Sequence, residues 1–215
     1  MEIHPKDMGR FVKHQKHMSN KIYKTVFSRE EKMRAKDGKG FYFEEYIEHP
    51  ERFESNLDKY LPHFKMLIHT SYWDKKYPRL VSKDMLKRLY SKNGFRLEFI
   101  GDISCDINGS IEPTCKVMTP ELGVYTYDPD KDVCQDGCES NGVAILAVDN
   151  LPAELPRDSS EHFSGLIRDY VYQIAVHGAR DITEHAALPV ELRNAVITQD
   201  GSITDNFRYL EKYID

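Results

Sequence analysis

The sequence predicts an α/β fold built on a parallel sheet, and three observations support that expectation. "KMLIHTSYW" holds a brief apolar strand at Met66–His69, "SKDMLKRLYSKNG" follows with helical spacing, and "RLEFIGDIS" returns as a second strand. Strand, helix and strand at this spacing are the alternation of a parallel sheet. A third strand, "GVAILAVDN", ends in an acid and a turn just before a long amphipathic run, which repeats the pattern.

Taken in order, the first forty residues are polar, and "REEKMRAKDGKG" reads as a solvated helix end and loop. In "FYFEEYIEHPERFESNLDKYLPHF" the apolar positions recur near helical spacing and are broken by Pro50 and Pro62, which predicts two short helices. The helix after the first strand has Ser82 as N-cap, Met85, Leu86 and Leu89 on one face, and Gly94 beyond its end. Turn residues dominate from Asn108 to Asp136, around the alternating strand "GVYTYD". In "ILAVDNLPAELP", Ile145 to Val148 is a buried strand end, and Pro152 or Pro156 sits in the first turn of a helix, where a missing N–H costs nothing. "SSEHFSGLIRDYVYQIAVHG" is the longest predicted helix, with Phe163, Leu166, Ile167, Tyr170, Val171 and Ile174 on one stripe. The tail reads as a helix turn, a hairpin at Asp200-Gly201 and a closing helix.

With 215 residues there is room for one large domain, or one domain and part of another. Charged residues make up 30% but the net charge is only −5, so no basic field exists to hold a nucleic-acid backbone. No stretch approaches the roughly 20 apolar residues of a membrane span, and "MEIHPKDMGR" has no apolar signal core, so the chain reads as soluble and without a targeting segment. Cys105, Cys115, Cys134 and Cys138 are too few and too irregular for a disulfide framework, which makes a reducing compartment the simpler expectation.

No glycine-rich phosphate loop is present, since "GKG" and "GCESNG" lack both the spacing and a preceding strand. His4, His14 and His17, or Cys134 with Cys138, lack the second donor pair of a zinc site, so no metal is expected. "GDISCDINGSIEPT" is more informative, because Asp102, Ile103, Ser104, Cys105 and Asp106 bring carboxylate, hydroxyl and thiol to the carboxyl end of a strand. Such tips line the ligand crevice of open α/β sheets. An Asx-type turn capping the strand is the alternative there, and a plain connecting loop is the alternative at Asp149-Asn150.

Together, "PHFKMLIHTSYWDKKYPRLVSKDML", "DISCDINGSIEPT", "VDNLPAELPRDSSEHF" and "LRNAVITQDGSITDNFRYLEKY" resemble the lysine–2-oxoglutarate reductase part of alpha-aminoadipic semialdehyde synthase. That part is related to saccharopine dehydrogenase and, more distantly, to alanine dehydrogenase and transhydrogenase. The resemblance implies a Rossmann-like doubly wound parallel sheet lacking its first strand and Gly-rich loop over residues 1–150. Residues 151–215 would be the interdomain helix and the returning segment of a substrate domain, and Met1 to Pro5 would align with the second Rossmann strand. The implied reaction condenses lysine with 2-oxoglutarate and reduces the imine to saccharopine. NADP(H) is the implied cofactor, NAD(H) the alternative, and no metal takes part.

Residue by residue, the resemblance assigns Tyr72, Ile103, Val148, Asp149, Asn150 and Leu151 to the cofactor, and Ser104, Cys105 and Asp106 to the amino-acid product. Cys105 stands where the family has a smaller residue. The family's acid–base residues would precede residue 1, so the chain alone is expected to be weakly active or inactive. An exposed sheet edge then predicts a homo-oligomer or a complementary N-terminal half. A non-catalytic nucleotide- or amino-acid-binding protein of the same fold is the alternative. Animal relatives imply the mitochondrial matrix, with the cytoplasm as the other expectation.

Overall fold

A computed structural model describes residues 1–14, 21–138, 141–177 and 188–214 of the chain. Two compact units divide it, Met1–Leu151 and Pro152–Asp215.

In the first unit, helix α1 (Pro5–His14) lies between two residues joined by a parallel bridge, Glu2 and Lys24. That bridge is all the strand structure that Met1 to Pro5 forms. Next come α2 (Arg29–Lys32), β1 (Met33–Ala35), α3 (Phe43–Glu48) and β2 (Phe53–Ser55), with β1 and β2 antiparallel. The first of the two expected short helices is α3, but the second region holds β2 and then 3-10 turns at Leu57–Lys59 and Leu61–His63. A strand of three residues is too short to show its period in sequence. Its cause is visible in packing: Phe53 and Ser55 are buried, while Arg34 spans β1 and β2 to reach Glu54 at 2.7 Å and Asp58 at 3.0 Å.

The strand–helix–strand expectation is met by β3 (Met66–His69), α4 (Lys83–Tyr90) and β4 (Phe99–Asp102). Ser82 caps α4, its hydroxyl accepting the Met85 N–H at 3.1 Å, and Leu86 and Leu89 are buried beneath the helix. Strands β5 (Val124–Asp128), β6 (Val133–Asp136) and β7 (Val143–Leu146) complete a sheet of order β3-β4-β7-β5-β6. Strands β3, β4 and β7 run parallel, and β5 runs antiparallel to both β7 and β6. The α/β reading holds, with an antiparallel hairpin extending the parallel strands. Loop 129–132 is too short for a crossover, which forces β5 and β6 antiparallel.

The core gathers Leu61, Leu86, Ile100, Ile111, Tyr125 and Ile145. Burial pushes the Tyr125 phenol up to about 12, while its oxygen accepts the Cys115 N–H at 3.0 Å. Cys115 and Cys134 are joined in a disulfide, where the sequence suggests ordinary thiols. Both lie against β5: Cys134 pairs with Tyr127, and Cys115 meets the Tyr125 hydroxyl. Spacing along the chain does not reveal that approach. Cys105 and Cys138 remain free.

The second unit begins with a proline-containing 3-10 turn that runs from Leu151 to Glu154 across the boundary, so Pro152 and Pro156 both enter helical first turns. Helix α5 (Pro156–His177) has no buried residue among those described. After α6 (Val190–Asn194), strands β8 (Thr198–Gln199) and β9 (Ser202–Ile203) form the expected hairpin, with φ of 50° at Asp200 and 79° at Gly201. A 3-10 helix, Asp205–Tyr213, takes the place of the closing helix. No described helix is long and apolar enough to cross a membrane.

Candidate functional site

Parallel β3, β4 and β7 put their carboxyl ends side by side, and the polar residues singled out in the sequence follow those ends. His69 and Asp102 are register partners at the last position of β3 and β4. Their side chains therefore share a face, with His69 Nδ1 3.0 Å from Asp102 Oδ1. Ser104 Oγ donates to the same carboxylate oxygen at 2.7 Å, and Thr114 Oγ1 donates to Oδ2 at 2.6 Å. Asp102 is completely buried and His69 is 4% exposed.

Burial alone would raise the Asp102 carboxyl, but hydrogen bonds from His69, Thr114 and Ser104 outweigh it and hold the group below the usual carboxylate range. An ionised Asp102 only accepts, so the His69 proton belongs on Nδ1. That tautomer leaves the buried Nε2 as an acceptor with no partner. Asp102 thus turns inward and fixes the tips of two strands, rather than facing a ligand. His69 and Thr114 lie inside the quoted stretches "KMLIHTSYW" and "GDISCDINGSIEPT", but the sequence does not single out either as a partner of Asp102. The clue was a histidine closing an otherwise apolar strand, "MLIH".

Around this knot the chain opens outward. Ile103 is partly exposed, and its N–H is held by the His69 carbonyl at 2.9 Å. Ser104 is half-buried, its hydroxyl committed to Asp102. Cys105 adopts a left-handed φ of 54° and is half-buried; burial, then the charges of Asp102, Asp149 and Asp106, push its thiol up and keep it neutral. Asp106 and Asn108 are exposed, and the turn is closed by backbone, Gly109 N–H to Asp106 O at 2.9 Å. This differs from a side-chain Asx cap.

At the end of β7, Val148 is buried, Asp149 and Asn150 are exposed, and Leu151 is half-buried. Tyr72, three residues past β3, is 85% exposed. Beside it, a groove of about 500 Å³ is lined by Trp73, Tyr77, Arg79, Ile107 and Asn108. Trp73 Nε1 is fixed on the Tyr77 carbonyl at 3.1 Å, and Arg79 on the Asn108 carbonyl at 3.1 Å. All nine candidate residues therefore lie at or just beyond the carboxyl ends of three adjacent strands. Among the described residues no group of three or more His, Cys, Asp or Glu could hold a metal. His17 lies outside the described residues.

Residues 15–206 match the family model for the alanine dehydrogenase/PNT C-terminal domain. The chain is 30% identical over 206 residues to the mitochondrial alpha-aminoadipic semialdehyde synthase of Mus musculus, covering 89% of the chain and 22% of that protein. Against the alpha-aminoadipic semialdehyde synthase of Arabidopsis thaliana it is 30% identical over 193 residues, 89% of the chain and 18% of the relative. Alanine dehydrogenase 2 of Staphylococcus aureus (strain USA300) is 32% identical over 106 residues, 49% of the chain and 24% of that enzyme. The chain thus spans about a fifth of the length of the synthases it resembles.

Proposed function

Since the chain belongs to the alanine dehydrogenase/PNT C-terminal domain family, we propose that it is the cofactor-binding portion of a lysine–2-oxoglutarate reductase, which uses NADPH to reduce the lysine–2-oxoglutarate imine to saccharopine. The family is one of oxidoreductases and generally binds NAD(P). The observation that supports the finer reading is the gathering of Tyr72, residues 103–106 and residues 148–151 at the carboxyl ends of β3, β4 and β7. This is where open α/β sheets bind their ligands.

A dinucleotide suits these residues. Exposed Tyr72 and Ile103 offer apolar faces, and Asp149 and Asn150 offer polar groups above a backbone fixed by buried Val148. When bound, the nicotinamide supplies the hydride. What the chain would contribute is position: the Asp102 network ties two strand tips together, and Ile103 and Val148 would hold and orient a nicotinamide ring there. The exposed Asp106 carboxylate suits the ammonium group of an amino acid, while the Ser104 hydroxyl, bonded to Asp102, ties the segment that carries it to the strand tips.

The test is NADPH binding and oxidation with lysine and 2-oxoglutarate, by the chain alone and mixed with the N-terminal half of a related synthase. Activity only in the mixture is expected. There, Asp149→Ala should weaken NADPH by about fivefold or more, the loss of one hydrogen bond. Unchanged affinity removes Asp149 from the site. Binding without turnover in the assembled mixture would instead make the chain a non-catalytic nucleotide binder.

A further inference from the structure

Lys32 is the last residue of α2 and precedes Met33, which is buried in the core. Its half-buried ammonium group donates to the Ser71 hydroxyl at 2.8 Å, in the loop that leaves the tip of β3 and carries Tyr72. A hydroxyl brings no compensating charge. Among the described residues no carboxylate lies within ion-pair distance of Lys32, although the neighbouring cations Lys24, Arg34 and Lys39 each have one. Glu31, the adjacent acid, is engaged by the Ser28 N–H at 2.8 Å and lies 3.6 Å from His4. Burial, and after it the charge of Arg29, lower the Lys32 pKa, and nothing in its surroundings raises it. Arg29 lies one helical turn away with its guanidinium 4.6 Å above the Phe43 ring, and among the described residues no acid is paired with it.

A partly desolvated cation with only a neutral partner is costly unless an anion completes it. Here Lys32 is such a cation: it meets the loop after β3 at Ser71, one residue before an aromatic side chain open to solvent, and the exposed Arg29 adds a second positive charge close enough to act on it. We propose that Lys32, with Ser71 and assisted by Arg29, forms an anion subsite that takes a phosphate group of the bound dinucleotide. The subsite rests on the dinucleotide reading given above and adds to it the residue that recognises phosphate. Lysine suits this task as a point charge, and the Ser71 hydroxyl can turn to donate to the same oxygen. The family's glycine loop is absent from the sequence, and Lys32 was not distinguished there from its charged run.

Binding titrations on the full 215-residue chain and on Lys32→Met test the subsite with three probes: NADPH, NADH and inorganic pyrophosphate. The methionine keeps the length of the stem and leaves no carboxylate unpaired, so its melting temperature should equal or exceed that of the original chain. NADPH affinity is expected to fall about tenfold or more, as for a lost charge-assisted hydrogen bond. A loss confined to NADPH places the 2′-phosphate at Lys32, and an equal loss with NADH places the pyrophosphate there; both uphold the proposal. Equal NADPH affinity in the two proteins overturns it. If the original chain binds neither dinucleotide, the dinucleotide reading fails by itself, and the third probe decides the subsite. Pyrophosphate binding that depends on Lys32 sustains it, whereas binding that is absent or indifferent to the substitution removes it.

Discussion

Asp102 illustrates how one buried side chain sets both stability and site geometry. Its two oxygens accept from His69, Ser104 and Thr114, so removing its charge leaves those donors poorly matched. Asp102→Asn should cost about 1.5–3 kcal/mol at neutral pH, the range for hydrogen bonds to a charged group. The folded-state pKa lies below the unfolded one. The stabilisation is therefore complete above the unfolded value of roughly 4 and is lost as pH falls through the lower folded value. Urea denaturation of both proteins from pH 7 to pH 3 checks this: the variant should show a shallower acid loss, and an unaltered slope would place the acid sensitivity elsewhere. The same residue shows how far the site is legible in sequence. A polar strand tip is evident in "GDISCD", yet its partners His69 and Thr114 lie 33 and 12 residues away, and although both fall within quoted stretches nothing in those stretches marks them as partners of Asp102. Only the parallel register of β3 and β4 brings the histidine to the aspartate.

Elements with a long period and a cap were legible, and those defined by neighbouring chain were not. Helix α4 announced itself through Ser82 and its Leu86–Leu89 face, whereas β1 and β2 exist because each covers the other. "GVYTYD" likewise showed a strand but not its direction, which depends on a loop too short to cross over. The join between β5 and β7 offers a test of how tightly that hairpin is set. Gly142, just before β7, has φ of 144°, and a Cβ there would lie 2.2 Å from the Tyr127 carbonyl oxygen. Gly101 in β4 makes a useful contrast, since its Cβ would come closest to the far end of the Ile68 side chain, at 2.9 Å, with Phe99 and Ile103 at ordinary contact distances of 3.5 and 4.0 Å. Gly142→Ala should destabilise the chain by about 2 kcal/mol or more, through strain and a backbone clash. Gly101→Ala should cost under about 1 kcal/mol. Chemical denaturation of the two variants measures both, and equal losses would mean that the strand junction yields more readily than its geometry implies.

For the molecule as a whole, the two outer strands of the main sheet differ in how they meet solvent. β6 carries Asp136 paired with Lys116, and its neighbouring turn carries Asp132 paired with Lys83. Among the described residues β3 has no such protection along its length: Met66 and Ile68, on one face two residues apart, are 58% and 54% exposed, and no described strand lies beside one backbone edge. Flat apolar edges of this kind template further pairing, and a lysine placed on them is the usual guard. With a net charge of only −5, long-range repulsion between copies is weak at physiological salt. The chain should therefore self-associate through β3 as its concentration rises, and Ile68→Lys should keep it monomeric without altering the far-ultraviolet circular dichroism spectrum. Sedimentation velocity over a hundredfold range of concentration separates the outcomes. A parent chain that stays monomeric throughout, or a variant that associates as strongly as its parent, would show that β3 is not the contact. Association abolished by one charge at Ile68 would locate it on the strand that ends in His69, so that self-pairing would also restrain the tip carrying Ser71 and Tyr72.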